Sequence, residues 1–243
     1  MTLTRRLFAG AFLGAGLLVS ACGGGANGSD EAGRSSYETQ SDHAIGNADA
    51  PVVFVEYASV ACPHCATWHE SVYPTIEEHV ESGDVRFVFR EMITGQPQLA
   101  VAGFMLARCA PEERYFDVLD ILFEQQRALF TAMQNGTAQS QLVTIARSVG
   151  LSEEEFLGCM QDESLLAEVQ AANQAAVDNG ITATPSFVIN GDRVEMMRAP
   201  EGDGSVFAVD GDPIEDADGT IPAEFTGDAF DRIIAYFKAR AES

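Results

Sequence analysis

The most reactive side chains of this sequence are two cysteines separated by two residues, Cys62-Pro63-His64-Cys65. A cysteine acts as a nucleophile through its thiolate, so the question is what would hold one of these sulfurs ionised. The motif follows a continuous apolar run and opens a stretch with helical periodicity. A helix start presents unpaired N–H groups and the positive end of its dipole, and Pro63 suits the first turn because its missing donor is not needed there. That field contributes at most about 2 kcal/mol, roughly 1.5 pK units, enough to bring a thiol from about 8.5 to about 7. A protonated His64 beside the Cys62 sulfur would stabilise the thiolate further and make the matching disulfide more oxidising. The spacing assigns Cys62 as the exposed attacking sulfur and Cys65, one helical step inward, as the buried resolving one. The chemistry is thiol–disulfide exchange, with no cofactor beyond the Cys62–Cys65 pair itself.

Metal and haem chemistry suit the same residues less well. Ala66 follows Cys65, so the haem-attachment pattern C-x-x-C-H fails. His64 and His69 could join the two thiolates around zinc, but a closed site draws four ligands from a loop and no second C-x-x-C exists. No metal is expected. His69 and His79 read as helix-surface residues, and His43 as the end of a linker.

The elements around the motif follow from hydrophobic periodicity. Val52 to Tyr57 is a nearly continuous apolar run, as in a strand buried on both faces. Trp68, Val72, Ile76 and Val80 then recur at i+4 and define one helix, which Ser82-Gly83-Asp84 stops. Val85, Phe87 and Phe89 alternate with Arg86, Val88 and Arg90, which predicts a second strand, parallel to the first through a right-handed crossover. From Pro97 to Gly180 the pattern is helical throughout: Phe116, Leu119, Leu122 and Phe123 share one face, Leu142, Ile145 and Val149 another, and Ser152 to Glu155 has the order of a capping box. Ser186 to Ile189 resumes the sheet, Asn190-Gly191 turns it into Arg193 to Met197, and Ser205 to Val209 is a candidate further strand. A last helix from about Asp228 to Ala239 carries Phe230, Ile233, Ile234 and Phe237 on one side.

Two blocks resemble a known family. Glu56-Tyr57-Ala58-Ser59-Val60-Ala61-Cys62-Pro63-His64-Cys65, preceded by Ile45 to Pro51, is similar to the active-site segment of the DsbA-like thioredoxin-fold oxidoreductases. Gly180 to Gly191, containing Thr184-Pro185, is similar to that family's cis-proline strand. The resemblance spans nearly all of residues 43–240 and implies an α/β thioredoxin fold with an all-helical insertion after the second core strand. It implies further that Pro185 follows a cis bond and lies against the Cys62 sulfur, and that Thr184 offers main-chain groups to an extended substrate peptide. By the same resemblance Glu56, an acid within an apolar strand, is the buried carboxyl that handles the proton of Cys65. Burial should raise its pKa, unless it is a strand-end acid reaching solvent.

Cys109 and Cys159 lie in the helical stretch, and in an exported protein their natural state is a structural disulfide. Some bacterial members of the family are similar in carrying a second bridge there. Two buried free thiols remain the alternative, because Cα separation cannot be read from sequence.

The first residues read as a targeting segment. Arg5 and Arg6 precede an apolar run from Leu7 to Ala21, and Val19-Ser20-Ala21-Cys22 resembles a lipobox whose cysteine becomes a lipidated N-terminus. Thr4 to Phe8 also looks like a twin-arginine signal. The expected organisation is a signal peptide at 1–21, a lipidated flexible linker at 22–42, a first thioredoxin-fold part at 43–96, a helical insertion at 97–180, and a second thioredoxin-fold part at 181–243 with an acidic loop at 200–226.

The 243 residues carry 37 acidic and 14 basic side chains, a formal charge of −23, which excludes a nucleic-acid binder driven by phosphate contacts. The expected function is an exported, membrane-anchored lipoprotein on the periplasmic side that exchanges disulfides with unfolded or reduced exported proteins, most simply as an oxidase. A membrane redox partner would recycle it. Absence of a separate dimerisation domain points to a monomer. Thr184 stands where the best-known oxidase has valine, which leaves a reductase or isomerase direction open. A non-catalytic thioredoxin-fold lipoprotein that binds a partner through the acidic loop is the alternative of a different class.

Overall fold

The computed structural model describes residues 37–242. The signal segment and Cys22 lie outside them. In chain order the elements are β1 (His43–Ile45), β2 (Val52–Ala58), α1 (Pro63–Ser71), α2 (Tyr73–Ser82), β3 (Val85–Glu91), α3 (Pro97–Cys109), α4 (Tyr115–Glu124), α5 (Gln126–Gln134), α6 (Ala138–Ser148), α7 (Glu153–Cys159), α8 (Glu163–Asp178), β4 (Ser186–Ile189), β5 (Asp192–Arg198), β6 (Ser205–Val209), β7 (Asp212–Pro213), β8 (Glu215–Asp216), β9 (Gly219–Thr220) and α9 (Gly227–Ala241).

Seven strands form one sheet in the order β1-β3-β2-β4-β5-β6-β7. β2 and β3 are parallel in the register Phe54 to Phe87, joined by α1 and α2, while β4 and β1 pair antiparallel with β2 and β3. This is the α/β thioredoxin fold, with helices α3 to α8 between β3 and β4. β2 is buried at every position, which explains why its sequence lacks alternation. Phe54 on β2 meets Trp68 of α1, Phe87 of β3, Phe187 of β4 and Phe230 of α9 at centroid distances of 5.6–6.1 Å. That aromatic cluster seats α1 on the sheet and so fixes where its first residue stands.

The helix expected from Trp68 to Val80 is two helices. Pro74, in the first turn of α2, has no N–H for the next helical bond and its ring opposes the carbonyl four residues back, so the chain breaks at Val72 (φ −122°, ψ −40°). The i+4 stripe survives because Trp68, Val72 and Ile76 all stay buried across the break. Gly83 then closes α2 in the left-handed conformation. The capping box at Ser152 and Glu155 opens α7.

Residues 37–42, the end of the stretch expected to be a flexible linker, are held in place. Glu38 pairs with Arg86 at 3.0 Å and Asp42 with Arg90 at 2.7 Å, both arginines projecting from β3. His43 is likewise structural: it begins β1 and stacks on Tyr115 at 3.6 Å. The two arginines that alternate with the apolar residues of β3 are therefore clamps. The acidic loop holds β6 and a small β8–β9 hairpin, where Asp216 accepts two bonds from Arg232 of α9. Among the described residues no helix is long and apolar enough to cross a membrane.

Candidate active site

Cys62 is the N-cap of α1 and Pro63 occupies its first turn. Both cysteines of the motif are free thiols; Cys62 is 7% exposed and Cys65 fully buried. Their acidities diverge. A hydrogen bond from the Cys65 thiol is the largest effect on Cys62, aided by the Thr184 side chain and by the main-chain N–H groups of Cys65 and His64. Partial burial works against these, and the balance lowers the Cys62 pKa from 9.0 to about 5. Burial pushes the Cys65 thiol the other way, and the same hydrogen bond and the charge of Glu56 push it further up. Only Cys62 is thus an ionised nucleophile near neutral pH.

His64 acts on that sulfur through its main chain. Its side chain is exposed and lines a groove of 390 Å³ with Thr184, Pro185, Met196, Ala223 and Phe225. Met196, at 52% exposure, and Phe225 give this groove an apolar wall beside the sulfur.

The peptide bond between Thr184 and Pro185 is cis, and the Thr184 carbonyl lies 3.4 Å from the Cys62 sulfur, which donates to it as a thiol. The loop after β3 joins this segment to the cysteine loop. Thr94 and Thr184 share a hydrogen bond between their hydroxyls at 2.7 Å, while the Ser59 hydroxyl donates to the Thr94 carbonyl and accepts from the Ala61 N–H. Gly95 (φ +73°) presses against Ala61 so closely that any Cβ would overlap the Ala61 carbonyl.

Two further residues bear on the site without any local sequence signal. Gln126 of α5, itself buried, donates both amide hydrogens inward, to the Val60 carbonyl at 2.8 Å and the Cys62 carbonyl at 3.0 Å. The helices between β3 and β4 thereby hold the main chain of the cysteine loop. The other is His69. It lies buried on the inner face of α1, with Nε2 3.0 Å from Glu56 Oε2 and its ring stacked on Phe123 at 3.8 Å. The expectation of a helix-surface His69 is thus corrected. Its position four residues after Cys65 was the available signal, because i and i+4 share a helix face and Cys65 points inward. Glu56 is completely buried and burial raises its pKa. Its only hydrogen-bond partner among the described residues is His69, and Oε1 has none.

Cys109 of α3 and Cys159 of α7 are bonded to each other, with Cα atoms 6.1 Å apart. Among the described residues no group of three or more His, Cys, Asp or Glu side chains is placed to hold a metal ion.

Comparison with known proteins bears on the family and the fold. Residues 38–204 match the thioredoxin family model. Relatives from Rickettsia bellii and Rickettsia conorii, both provisionally named protein-disulfide oxidoreductases, are 29% identical over 160 residues and 30% identical over 154. Those alignments take in 64% and 62% of this chain and 60% and 53% of the relatives, so the chain spans less than two thirds of their length. The crystal structure of Wolbachia pipientis alpha-DsbA1 superposes with a TM-score of 0.65 at 24% identity, covering 84% of this chain and 94% of that one. Oxidised BdbD from Bacillus subtilis gives 0.61 at 18%, covering 85% and 98%. At these identities the two structures speak for the fold.

Proposed function

The chain belongs to the thioredoxin family, and from that premise we propose that it is a thiol–disulfide oxidoreductase that oxidises exported proteins. The observation that carries this is the split acidity of the two sulfurs: Cys62 lowered to about 5, Cys65 raised by burial. In the oxidised enzyme the pair is a disulfide. A substrate thiolate attacks the Cys62 sulfur, the Cys62–Cys65 bond breaks, and Cys65 leaves with the electron pair and takes a proton from Glu56. A second substrate thiolate then attacks the substrate sulfur of the mixed disulfide and releases Cys62 as a stable thiolate. The substrate loses two electrons and the enzyme gains them. A stabilised Cys62 thiolate favours the reduced enzyme, hence the oxidase direction.

The groove at His64, Pro185, Met196 and Phe225 would hold apolar side chains flanking the substrate cysteine, with Thr184 offering its main chain to the peptide. Cys109–Cys159 would serve structure. Export, lipidation at Cys22, a reductant-accepting membrane partner and a monomeric state belong to this proposal and rest on the sequence.

Trapping with iodoacetamide at about pH 6 tests the sulfur: Cys62 should label while Cys65 does not, as only a thiolate reacts. Oxidation of a reduced dithiol peptide tests the reaction, and Cys62→Ala should abolish it. A potential near the thioredoxin value of about −270 mV would reverse the assigned direction. Unchanged peptide oxidation by Cys62→Ala would end the catalytic proposal.

A further inference from the structure

Given the exchange chemistry proposed above, we infer that His69 is a positioning residue through which Glu56 gains and loses its proton. A carboxyl that must protonate Cys65 in each turnover, and is itself fully buried, needs a route to water. Glu56 and His69 form a chain of six atoms, Oε1–Cδ–Oε2 facing Nε2–Cε1–Nδ1, with the 3.0 Å hydrogen bond at its centre. The two ends, Glu56 Oε1 and His69 Nδ1, are the buried atoms of this pair that have no hydrogen-bond partner among the described residues. An unmade hydrogen bond at a buried atom is costly, and here the two idle atoms are the two ends of the chain, the positions a relayed proton would use.

The surroundings set the direction of travel. On the inner side, the charge of Glu56 is felt by Cys65. On the outer side, Asp120 of α4 is half-buried and Glu77 of α2 is exposed, both within electrostatic reach of the His69 ring. Burial raises Asp120 to about 6. Tyr73 of α2, also against the ring, has its hydroxyl raised by burial and stays neutral. Trp68 and Phe123 complete the wall around the ring.

The protons balance over one cycle. With the enzyme oxidised, Glu56 carries its proton on Oε1 and His69 carries one on Nε2. When Cys65 leaves as thiolate it takes the Oε1 proton. A proton then arrives at Nδ1, the Nε2 proton crosses to Oε2, and Glu56 is neutral again with His69 protonated on Nδ1. Reoxidation runs the chain backward: Oε1 receives the Cys65 proton, the Oε2 proton returns to Nε2, and the Nδ1 proton leaves. Both groups end where they began, with no ring flip.

His69→Gln keeps a polar neighbour for Glu56 but cannot pass a proton, and His69→Phe keeps the stack on Phe123. In stopped-flow oxidation of a reduced peptide, both should slow Cys65 release about tenfold, within the range of general acid–base effects. Both should also flatten its pH profile between about pH 5 and 8, with iodoacetamide labelling of Cys62 unchanged. A purely structural role would lower the melting temperature and leave that profile alone. Nitrogen-15 NMR of the wild-type ring gives a test that needs no variant: the Nε2–H tautomer in the oxidised protein, Nδ1–H in the reduced one. The same tautomer in both states, or variant profiles that coincide with wild type, overturns the relay while peptide oxidation persists. A wild type unable to oxidise the peptide overturns the exchange function itself.

Discussion

Glu56 on β2 and Glu91 on β3 are two buried glutamates on neighbouring parallel strands, and the molecule treats them in opposite ways. Glu91 accepts two bonds from Arg108 of α3, at 2.9 and 3.0 Å, and one from the Tyr115 hydroxyl of α4 at 2.9 Å. Glu56 shares a single bond with His69 and has an idle Oε1. Burial raises both carboxyls, and only at Glu91 does a guanidinium pull strongly against it. A buried carboxylate with both oxygens engaged behaves as a structural joint, here riveting two helices to the sheet. One left half-engaged can change its protonation state at little cost. What separates the two roles is the completeness of the hydrogen bonding, since depth and residue type are shared.

Removing the guanidinium should make the largest difference. Arg108→Met leaves Glu91 buried and unpaired and should cost about 3–5 kcal/mol in urea unfolding, while peptide oxidation per folded molecule stays at the wild-type level. Were oxidation to fall with it, Glu91 would belong to the site and the contrast would fail. Tyr115→Phe removes one bond to the same carboxylate and should cost about 1.5–3 kcal/mol, again without effect on exchange. Glu56→Gln is expected to be the mildest in stability and to have the opposite sign. The folded carboxyl keeps its proton to higher pH than the unfolded value of 4.5, so its stabilising share is present below that pH and lost as pH rises through the folded value. The Gln variant should therefore gain on wild type between about pH 4 and pH 8, while its peptide oxidation slows by about 10²-fold. Denaturation midpoints at the two pH values, beside stopped-flow rates, check both halves.

Cys62 supplies the reverse pH signature for the reduced protein. Its folded pKa is depressed, so the stabilisation is complete above the ordinary value of 9.0 and disappears as pH falls through about 5. The stability difference between reduced wild type and Cys62→Ala should close over that window; a constant gap would mean the thiol is not perturbed.

Much of this was legible in the residues. The run from Val52 to Tyr57, the alternation after Val85 and the i+4 stripes each report a local rule, and the architecture follows from them in order. The two similar blocks at Cys62 and Pro185 identified the fold family. What escaped reading depends on distance along the chain. Arg108 and Tyr115 reach Glu91 from 17 and 24 residues away, and Gln126 reaches the Val60 and Cys62 carbonyls across 66 and 64. No periodicity encodes such meetings. His69 escaped for another reason: flanked by Thr67, Glu70 and Ser71, it looks like part of a solvated surface unless it is counted from Cys65. The break at Val72 was visible in Pro74, but the apolar stripe ran through it.

The clamp on residues 37–42 has a mechanical consequence. Any pull transmitted along the chain before residue 37 meets the Tyr37 ring seated at Gly191, then the Glu38–Arg86 and Asp42–Arg90 pairs, before it reaches the backbone ladder of β1 on β3. The side-chain anchors stand one after another along the chain, so each meets such a pull before the next does. The reactive sulfur at the start of α1 lies outside this set of anchors.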